Sequence, residues 1–299
     1  MRLVRSPRTL VMLAMLCWAG NWVVGRAMRA ELPPFALNFW RWALALCVLL
    51  PLAWPRLAVQ WPLLRRHWRF IVGMSALSTT AFQSMVYLGL QSTEALNGAL
   101  INATVPVFIA GTAWLLYRQP TSARQFAGIA VSLLGVAVIV SRGDLARLAA
   151  LRFNPGDLWL LAAMPVWSLY TVLLRRAPQG LDRMVFVAAL AAVGVALQLP
   201  LYGLELASGR HLVPTLGAFA ALAYVAVFAT VVAYLLYNTA LETIHPTAAG
   251  LLHHTHPLFT AGLAMLFLGE RPAAFHLAGL AGIALGVWLT TAATPAPAG

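Results

Sequence analysis

The sequence predicts an all-α membrane protein with ten transmembrane helices, arranged as two inverted repeats of five helices. Three observations predict this fold: the composition, the number of apolar segments and an internal similarity. Of the 299 residues, 61% are hydrophobic and only 9% are charged, and the mean hydropathy is +0.80. A soluble domain carries about 25% charged residues, so this chain has too few polar side chains to cover a globule in water. A soluble enzyme and a disordered chain are therefore excluded.

The number of apolar segments predicts the number of helices. A membrane-spanning helix needs about 20 mostly apolar residues, and the short loops between the segments leave no room for a soluble domain. Arg2, Arg5 and Arg8 precede the first segment as in a signal peptide, but no small-residue cleavage site follows, so we expect that helix to be retained. The ten predicted spans cover residues 9–28, 35–54, 70–90, 95–117, 123–140, 157–174, 184–202, 216–237, 247–268 and 275–291.

The net charge of +12 includes no contribution from lysine, because every strongly basic residue is an arginine. On a soluble protein such a charge would suggest a nucleic-acid partner. Here the arginines lie at the ends of apolar segments, where they determine topology. More of them lie on the side of the N-terminus than on the opposite side. This bias predicts a multi-pass protein of the inner (plasma) membrane with both termini in the cytoplasm, and no nucleic-acid partner is expected.

An internal similarity divides the chain into two halves. Residues 100–136 align without a gap with residues 251–287, at a shift of 151 positions, and both stretches contain the run Thr-x-Pro-x-Phe-x-Ala-Gly. Each half holds five spans, an odd number, so the second half crosses the membrane in the opposite sense and the repeat is inverted. The predicted boundaries are 1–142 for the first repeat, 143–153 for the connecting loop, 154–292 for the second repeat and 293–299 for a disordered tail.

Several motifs are similar to those of the EamA family in the drug/metabolite transporter superfamily. Residues 18–21, Trp-Ala-Gly-Asn, resemble the first-helix motif of that family, and Arg41 resembles the arginine early in its second helix. The resemblance implies a secondary transporter, most similar to YddG-type exporters of aromatic amino acids. Where the second half has Gly269-Glu270, the first has Arg118-Gln119, so no symmetric role is expected for that acid. The remaining matches are Ala249–Leu252, Pro257–Phe259, Phe267–Pro272, Gly279 and Gly286–Val287 in the second half, with Pro106, Gly111, Gly128 and Gly135 in the first.

Polar and aromatic side chains inside the spans outline a candidate substrate cavity. Polar groups in hydrocarbon usually face the protein interior or a water-filled space, and residues four apart on a helix share one face. Aromatic walls suit a small zwitterion because an aromatic face attracts an ammonium, while amide or imidazole donors bind a carboxylate. Each aromatic could instead anchor a membrane interface or pack between helices. The predicted substrate-binding residues are Trp18, Asn21, Thr79, Gln83, Tyr87, Asn102, Trp167, Tyr170, Tyr234, Asn238, His253 and His254.

Two prolines and a histidine cluster complete the candidate site. Pro106 and Pro257 occupy equivalent positions and are predicted to kink their helices and to serve in gating, with static kinks as the alternative. The cluster at residues 253–256, His-His-Thr-His, indicates contact with the substrate or a proton, or plain packing. Zinc needs three or four converging ligands, and no Asp, Glu or Cys lies at that depth in the sequence. We therefore expect no metal and no cofactor.

The acidic residues, Arg41 and the glycines indicate how transport is driven and how the helices pack. All 8 acids lie at segment ends or in loops, which favours facilitated or weakly coupled transport over a buried carboxylate relay. Arg41 either meets a substrate carboxylate or, as the favoured interpretation, extends to the outer headgroups. The pairs Gly128–Gly135 and Gly279–Gly286 indicate tight helix packing or a dimer seam, so the oligomeric state stays open.

The sequence therefore predicts a secondary transporter, not an enzyme, that exports small neutral or aromatic amino acids, or similar metabolites, by alternating access. Its expected partners are that small-molecule substrate and the lipid bilayer. One alternative is a membrane-embedded, histidine-dependent metalloenzyme, which would need acidic or thiol ligands near the histidine cluster. Another is a sugar-phosphate or nucleotide-sugar carrier, which would need several basic side chains in its cavity. Because Arg41 is the one arginine that lies clearly inside a predicted span and the chain has no lysine, this second alternative is disfavoured.

Overall fold

The computed structural model describes residues 6–118, 123–144, 146, 154–241 and 255–291, and within these ranges the chain is helical and contains no strand. Eight helices of this part are long and apolar enough to cross a membrane, and two shorter apolar helices follow them. The predicted all-α, membrane-spanning class is confirmed. The helices are α1 (Pro7–Ala27), α2 (Pro34–Arg66), α3 (Trp68–Ser92), α4 (Ala95–Tyr117), α5 (Ala123–Val140), α6 (Pro155–Leu173), α7 (Arg183–Ala207), α8 (Leu216–Ala226, continuing through Ala233–Leu241), α9 (Thr255–Leu268) and α10 (Ala274–Thr291).

The helices of the two halves pack in matching pairs. α2 lies along α7 and α5 lies along α10, so each pair joins a helix to its counterpart from the other half. α1 packs on α8 and α9, and α6 packs in the same way on α3 and α4. Exchange of the two halves preserves this pattern, as expected for a chain with an internal repeat.

The glycine pairs form the contact between α5 and α10. A Cβ atom on Gly135 would lie 2.7 Å from the carbonyl oxygen of Gly279, and one on Gly279 would lie 2.9 Å from that of Gly135. A Cβ atom on Gly286 would likewise meet the backbone of Gly128. Glycine permits this approach because it has no side chain to separate the helices. The two glycine rows are therefore tight helix packing within the chain.

Two π-helical segments interrupt α3 and α8 at equivalent positions. They cover Ala76–Phe82 and Val227–Val232, and their first residues are separated by the same shift that relates the sequence repeat. In a π-helix each hydrogen bond spans one residue more than in an α-helix, and such segments occur frequently at functional sites. Residues four apart therefore do not share one face across these segments.

Two helices differ from their predicted spans. α2 continues to Arg66 although it contains three prolines. The predicted span ended at residue 54, and membrane helices tolerate proline where neighbouring groups satisfy the freed carbonyls. α4 consists of Ala95–Asn102 and Val105–Tyr117, separated by two turn residues. Pro106 lies in the first turn after this break, where its missing N–H is not needed, and Pro257 lies in the first described turn of α9.

Contacts between the halves close one end of the bundle, which we call the Glu270 end. The carboxylate oxygens of Glu270 accept hydrogen bonds from the first two amides of α4, at 2.9 and 2.8 Å. Glu205 binds the start of α2 in the same way, with its Oε2 atom 2.7 Å from the amide nitrogen of Ala36. Glu31 accepts a hydrogen bond from the hydroxyl of Thr215. A carboxylate is favourable at a helix N-terminus because the free N–H groups and the helix dipole are positive there.

The opposite end, which we call the Arg56 end, is held by polar contacts between α2 and the start of α7. Arg56 and Asp182 form a salt bridge of 3.2 Å. Gln60 donates a hydrogen bond to the carbonyl oxygen of Gly180 at 3.0 Å and accepts one from the Asp182 amide at 2.7 Å. The Arg56 side chain is 61% exposed, so this salt bridge is solvated and contributes little to stability.

Candidate substrate site

A cavity of about 50 Å³ lies between helices of both halves. Because one water needs roughly 10–15 Å³ of such volume, the cavity has room for a few waters. Typical ligand sites measure about 300 Å³ or more, so the helices must move apart before a substrate can be held. We call this space the central cavity. It is lined by Trp18, Asn21, Trp22, Arg41, Ser78, Phe82, Gln83, Asn102, Trp167, Tyr234 and His256.

Arg41, on α2, is the charged residue in this wall. Its Nε atom donates to Thr230 Oγ1 at 2.7 Å, and its Nη2 atom donates to the carbonyl oxygen of Ala229 at 3.2 Å. Its Nη1 atom donates to Asn21 Oδ1 at 3.3 Å and to the hydroxyl of Tyr87 at 3.1 Å. The Tyr87 hydroxyl in turn donates to Asn21 Oδ1 at 2.6 Å. One guanidinium therefore joins α1, α2, α3 and α8.

The interpretation that Arg41 extends to the headgroups was wrong. Arg41 is only 2% exposed, and its guanidinium points towards the π-helical segment of α8, which contains Ala229 and Thr230. This segment supplies acceptors inside the bundle, so the side chain has no need to reach water. In the described part of the chain, no carboxylate forms a salt bridge with Arg41. A buried positive charge without a counterion among the described residues is the main electrostatic feature of the site.

Arg41 and Gln83, in the wall of the central cavity, have N–H groups that donate to no described residue. A guanidinium carries five N–H donors, and the hydrogen bonds of Arg41 to described residues occupy four of them. The Nε2 atom of Gln83 is buried and has no hydrogen-bond partner among the described residues. Burying an amide donor without an acceptor is unfavourable by about 1–3 kcal/mol. A ligand that brings negatively charged oxygens would satisfy both side chains.

Aromatic rings form the apolar part of the wall. Trp18 donates its Nε1 hydrogen to the carbonyl oxygen of Ala229 at 3.0 Å, and its ring meets that of Tyr234 edge-on at 5.6 Å. The ring of Trp167 lies 4.6 Å from that of Phe82, on the side of the cavity formed by α6 and α3. Such rings can attract an ammonium group or stack on an aromatic substrate.

A contact between Asn102 and His256 joins the two halves at the cavity. The Asn102 Nδ2 atom lies 3.2 Å from His256 Nδ1, and the Trp22 ring packs edge-on against the imidazole at 5.5 Å. At the shift of 151 positions Asn102 corresponds to His253, but His253 and His254 lie outside the described residues. Among the residues that are described, no group of three His, Cys, Asp or Glu side chains could hold a metal ion.

The predicted binding residues fall into three groups. Six line the central cavity: Trp18, Asn21, Gln83, Asn102, Trp167 and Tyr234. Tyr87 lies behind the wall as a partner of Arg41, whereas Thr79, Tyr170, Pro106 and Pro257 do not line it. The side chain of Asn238, like His253 and His254, is outside the described part.

Thr79 was expected on the same face as Gln83, but the π-helical segment separates the two. The Thr79 hydroxyl donates to the carbonyl oxygen of Ser75 at 2.8 Å, and its side chain packs where Gly194 of α7 leaves room. Tyr170 packs against Trp167, with ring centroids 5.1 Å apart, and therefore supports the cavity wall from behind.

Five lining residues were not among the predicted ones. Arg41 carried a signal that could have identified it, because a lone charge inside an apolar span usually faces the protein interior. His256 belongs to the histidine cluster that the sequence analysis singled out at residues 253–256, whereas Trp22, Ser78 and Phe82 resemble ordinary core or interface residues in sequence. The five are Trp22, Arg41, Ser78, Phe82 and His256.

Comparisons with known proteins agree with the repeat. Residues 7–141 and residues 154–292 each match the model of the EamA-like transporter family. An uncharacterized transporter of Archaeoglobus fulgidus is 29% identical over 95% of this chain and 96% of its own length. The uncharacterized transporter YyaM of Bacillus subtilis is 24% identical over 85% of this chain and 83% of its own. A solved crystal structure superposes with a TM-score of 0.66 over 96% of this chain and 98% of that chain, at 19% identity, and so shares the fold.

Proposed function

This chain belongs to the EamA-like transporter family and is a multi-pass membrane transporter, and on that premise we propose that it carries amino acids. Specifically, it exports small neutral or aromatic amino acids, or similar metabolites with a carboxylate, across the inner membrane by alternating access. The observation that carries the proposal is Arg41, a buried arginine in the cavity wall without a carboxylate partner in the described residues.

The chemistry of the wall suits a carboxylate next to an apolar group. Arg41 and the unpartnered amide of Gln83 supply donors for a carboxylate, and charge-assisted hydrogen bonds of this kind are the strong ones. Trp18, Trp167 and Tyr234 supply aromatic faces for an ammonium or an aromatic side chain. An amino acid with an aromatic or other neutral side chain contains all these groups within one small molecule.

The same wall disfavours the alternatives. A sugar phosphate or nucleotide sugar carries several negative charges, whereas Arg41 is the lone strongly basic residue among those lining the cavity. A metalloenzyme would need a set of converging ligands, and the described residues contain no such set. No Asp or Glu lines the cavity in the described part of the chain, so transport without a carboxylate proton relay, either facilitated or weakly coupled, is the mode we propose.

We also propose the ten-span inverted arrangement, with both termini in the cytoplasm. Two hydrogen bonds near the end of α3 support it. Arg26, at the end of α1, bonds to the carbonyl oxygen of Leu90 at 3.1 Å, and Thr93 bonds to Asp157, at the start of α6, at 2.8 Å. α1 thus ends at the Glu270 end, where α6 begins, as expected for halves that cross in opposite senses. The arginine bias assigns the Arg56 end to the cytoplasm.

Exchange of labelled amino acids in proteoliposomes tests the function. We expect uptake of aromatic or large neutral amino acids and none of sugar phosphates or nucleotide sugars. Gln83→Leu should reduce uptake because it removes a donor from the cavity. Gln198→Leu is the matched control, since Gln198 is also a buried glutamine but does not line the cavity. Absence of uptake for every amino acid in the panel, by protein that is folded, would refute the proposed substrate class.

A further inference from the structure

A second, larger cavity opens at the Arg56 end. Its volume is about 380 Å³, which lies within the range of small-molecule sites, about 300–1,000 Å³. It lies between α2, α7 and α8, and we call it the vestibule. It is lined by Leu49, Arg56, Leu181, Asp182, Arg183, Met184, Val187, Val231, Tyr234, Leu235 and Thr239.

Tyr234 separates the vestibule from the central cavity. Among the described residues it alone lines both spaces, so the two spaces adjoin at this side chain. The ring is held by edge contacts with Trp18 at 5.6 Å and Trp42 at 6.1 Å. The Tyr234 hydroxyl forms no hydrogen bond to the described residues. The hydroxyls of Tyr87 and Tyr224, in contrast, are each fixed by a hydrogen bond.

The local backbone favours movement of this wall. Tyr234 follows the π-helical segment Val227–Val232, and Val231 within that segment also lines the vestibule. A π-helical segment interrupts the regular hydrogen bonds of a helix, and such segments occur frequently at functional sites. The Tyr234 ring lies just after such a segment, so it can turn aside without breaking a hydrogen bond to any described residue.

The vestibule has the chemistry that the proposed substrate needs. Arg56 and Asp182 lie at its rim, and leucine and valine side chains cover its inner wall. A zwitterion could therefore approach the charged rim while its apolar side chain enters. The Glu270 end, by contrast, is closed by carboxylates of the second half bound to helix N-termini of the first.

From this arrangement we propose that the vestibule is the entrance to the central cavity and that the Tyr234 ring is the barrier between them. This inference rests on the proposed function, in that the molecule expected to pass is a small zwitterion with an apolar side chain. It adds the route, the end of the bundle from which the substrate enters and the residue that controls passage.

Cysteine accessibility tests the route without requiring transport. The natural cysteines, Cys17 and Cys47, are replaced by alanine, and Ser78→Cys places a reporter in the wall of the central cavity. A membrane-impermeant methanethiosulfonate is applied to right-side-out and inside-out vesicles. Val59→Cys, on an 80% exposed position of α2 outside the vestibule, reports which face carries the Arg56 end.

We expect the Ser78→Cys reporter to react from the same face as Val59→Cys. Tyr234→Ala should accelerate its reaction by about tenfold or more, because the barrier that gates access is gone. Tyr234→Phe is the matched control and should leave the rate unchanged, since the hydroxyl bonds to no described residue. If the alanine variant does not accumulate in the membrane, Tyr234→Val replaces it as the variant that lacks the ring.

Two results would overturn the route: equal rates in the alanine and phenylalanine variants, or reaction of the reporter from the face opposite Val59→Cys. Both are distinct from failure of the proposed function. A protein that transports amino acids but shows equal rates keeps the function and loses the route. A protein that shows the accelerated reaction but transports no amino acid keeps the route and loses the substrate class.

Discussion

Replacement of Arg41 by methionine should abolish recognition of the carboxylate while leaving the fold intact. Each acceptor that Arg41 occupies keeps another contact. The Ala229 carbonyl still accepts from Trp18, Asn21 still accepts from Tyr87, and the Thr230 hydroxyl still donates within α8. The loss of these hydrogen bonds is further offset because a buried charge without a counterion is removed. We therefore expect the midpoint of thermal unfolding of Arg41→Met to fall by a few degrees at most.

The effect on the substrate should be much larger. A hydrogen bond to a charged group contributes about 1.5–3 kcal/mol, and every 1.4 kcal/mol corresponds to about tenfold in affinity. Arg41→Met should therefore weaken binding of an amino acid by about 10- to 100-fold. Arg41→Lys keeps the charge but has fewer donors in a different geometry, so it should lie between the wild type and Arg41→Met.

Two ligands that differ only in the carboxylate isolate this interaction. Binding of an aromatic amino acid and of the amine obtained by its decarboxylation is measured by calorimetry for both proteins. We expect the wild type to prefer the acid and Arg41→Met to bind the two alike, because the coupling between the arginine and the carboxylate is then absent. If Arg41→Met retained the full preference for the acid, Arg41 would not be the carboxylate site and the argument from its buried charge would fail.

Three further substitutions test the fold and the cavity wall. Glu270→Gln should lower the free energy of unfolding by about 1–2 kcal/mol, because a neutral amide is a weaker partner for the first amides of α4; thermal unfolding measures this. Gly135→Ala should lower it by about 1–3 kcal/mol, since its Cβ would press on the α10 backbone. Trp167→Ala should raise the KM for aromatic amino acids about tenfold, because an aromatic contact contributes about 0.5–1.5 kcal/mol beyond its buried area; proteoliposome uptake measures this.

Each of these substitutions has a matched control. Glu94→Gln changes an acid at the same helix start whose side chain caps no amide. Gly111→Ala adds a methyl group where no atom lies within 4 Å of the new Cβ. Trp159→Ala removes an exposed tryptophan from the same helix as Trp167. If a control shifted its measurement as much as its test variant, the contact invoked for that variant would not be the cause.

The sequence predicted the helical class and the repeat because both depend on many residues at once. Apolar segments long enough to span a membrane are frequent only in such proteins, and the shared run at residues 104–111 and 255–262 is independent of composition. Packing between the two glycine rows was one of two predicted outcomes, and the contact between Gly135 and Gly279 decides between them.

The candidate site was predicted only in part, because its geometry depends on local backbone features without a sequence signal. The π-helical segments Ala76–Phe82 and Val227–Val232 have no known residue pattern, yet they decide that Thr79 faces α7 and that Arg41 finds acceptors on α8. Depth along α2 was also misjudged. Its place near the start of α2 predicted that Arg41 lies close to the membrane surface, but neighbouring helices surround its side chain.

Under the proposed alternating-access mechanism, the capping carboxylates at the Glu270 end would stabilise the conformation in which that end is shut relative to the one in which it is open. Halves of identical sequence would favour neither direction of opening. Here Glu270 and Glu205 both come from the second half, and the position 151 residues before Glu270 holds the amide Gln119. If each of the two caps stabilises the shut end by about 1–2 kcal/mol, the form that is open at the Glu270 end would be populated to roughly 0.1–3% at rest. With the proposed orientation, in which the Arg56 end faces the cytoplasm, the unloaded carrier would then be open mainly to the cytoplasm, the side from which an exporter must take up its substrate.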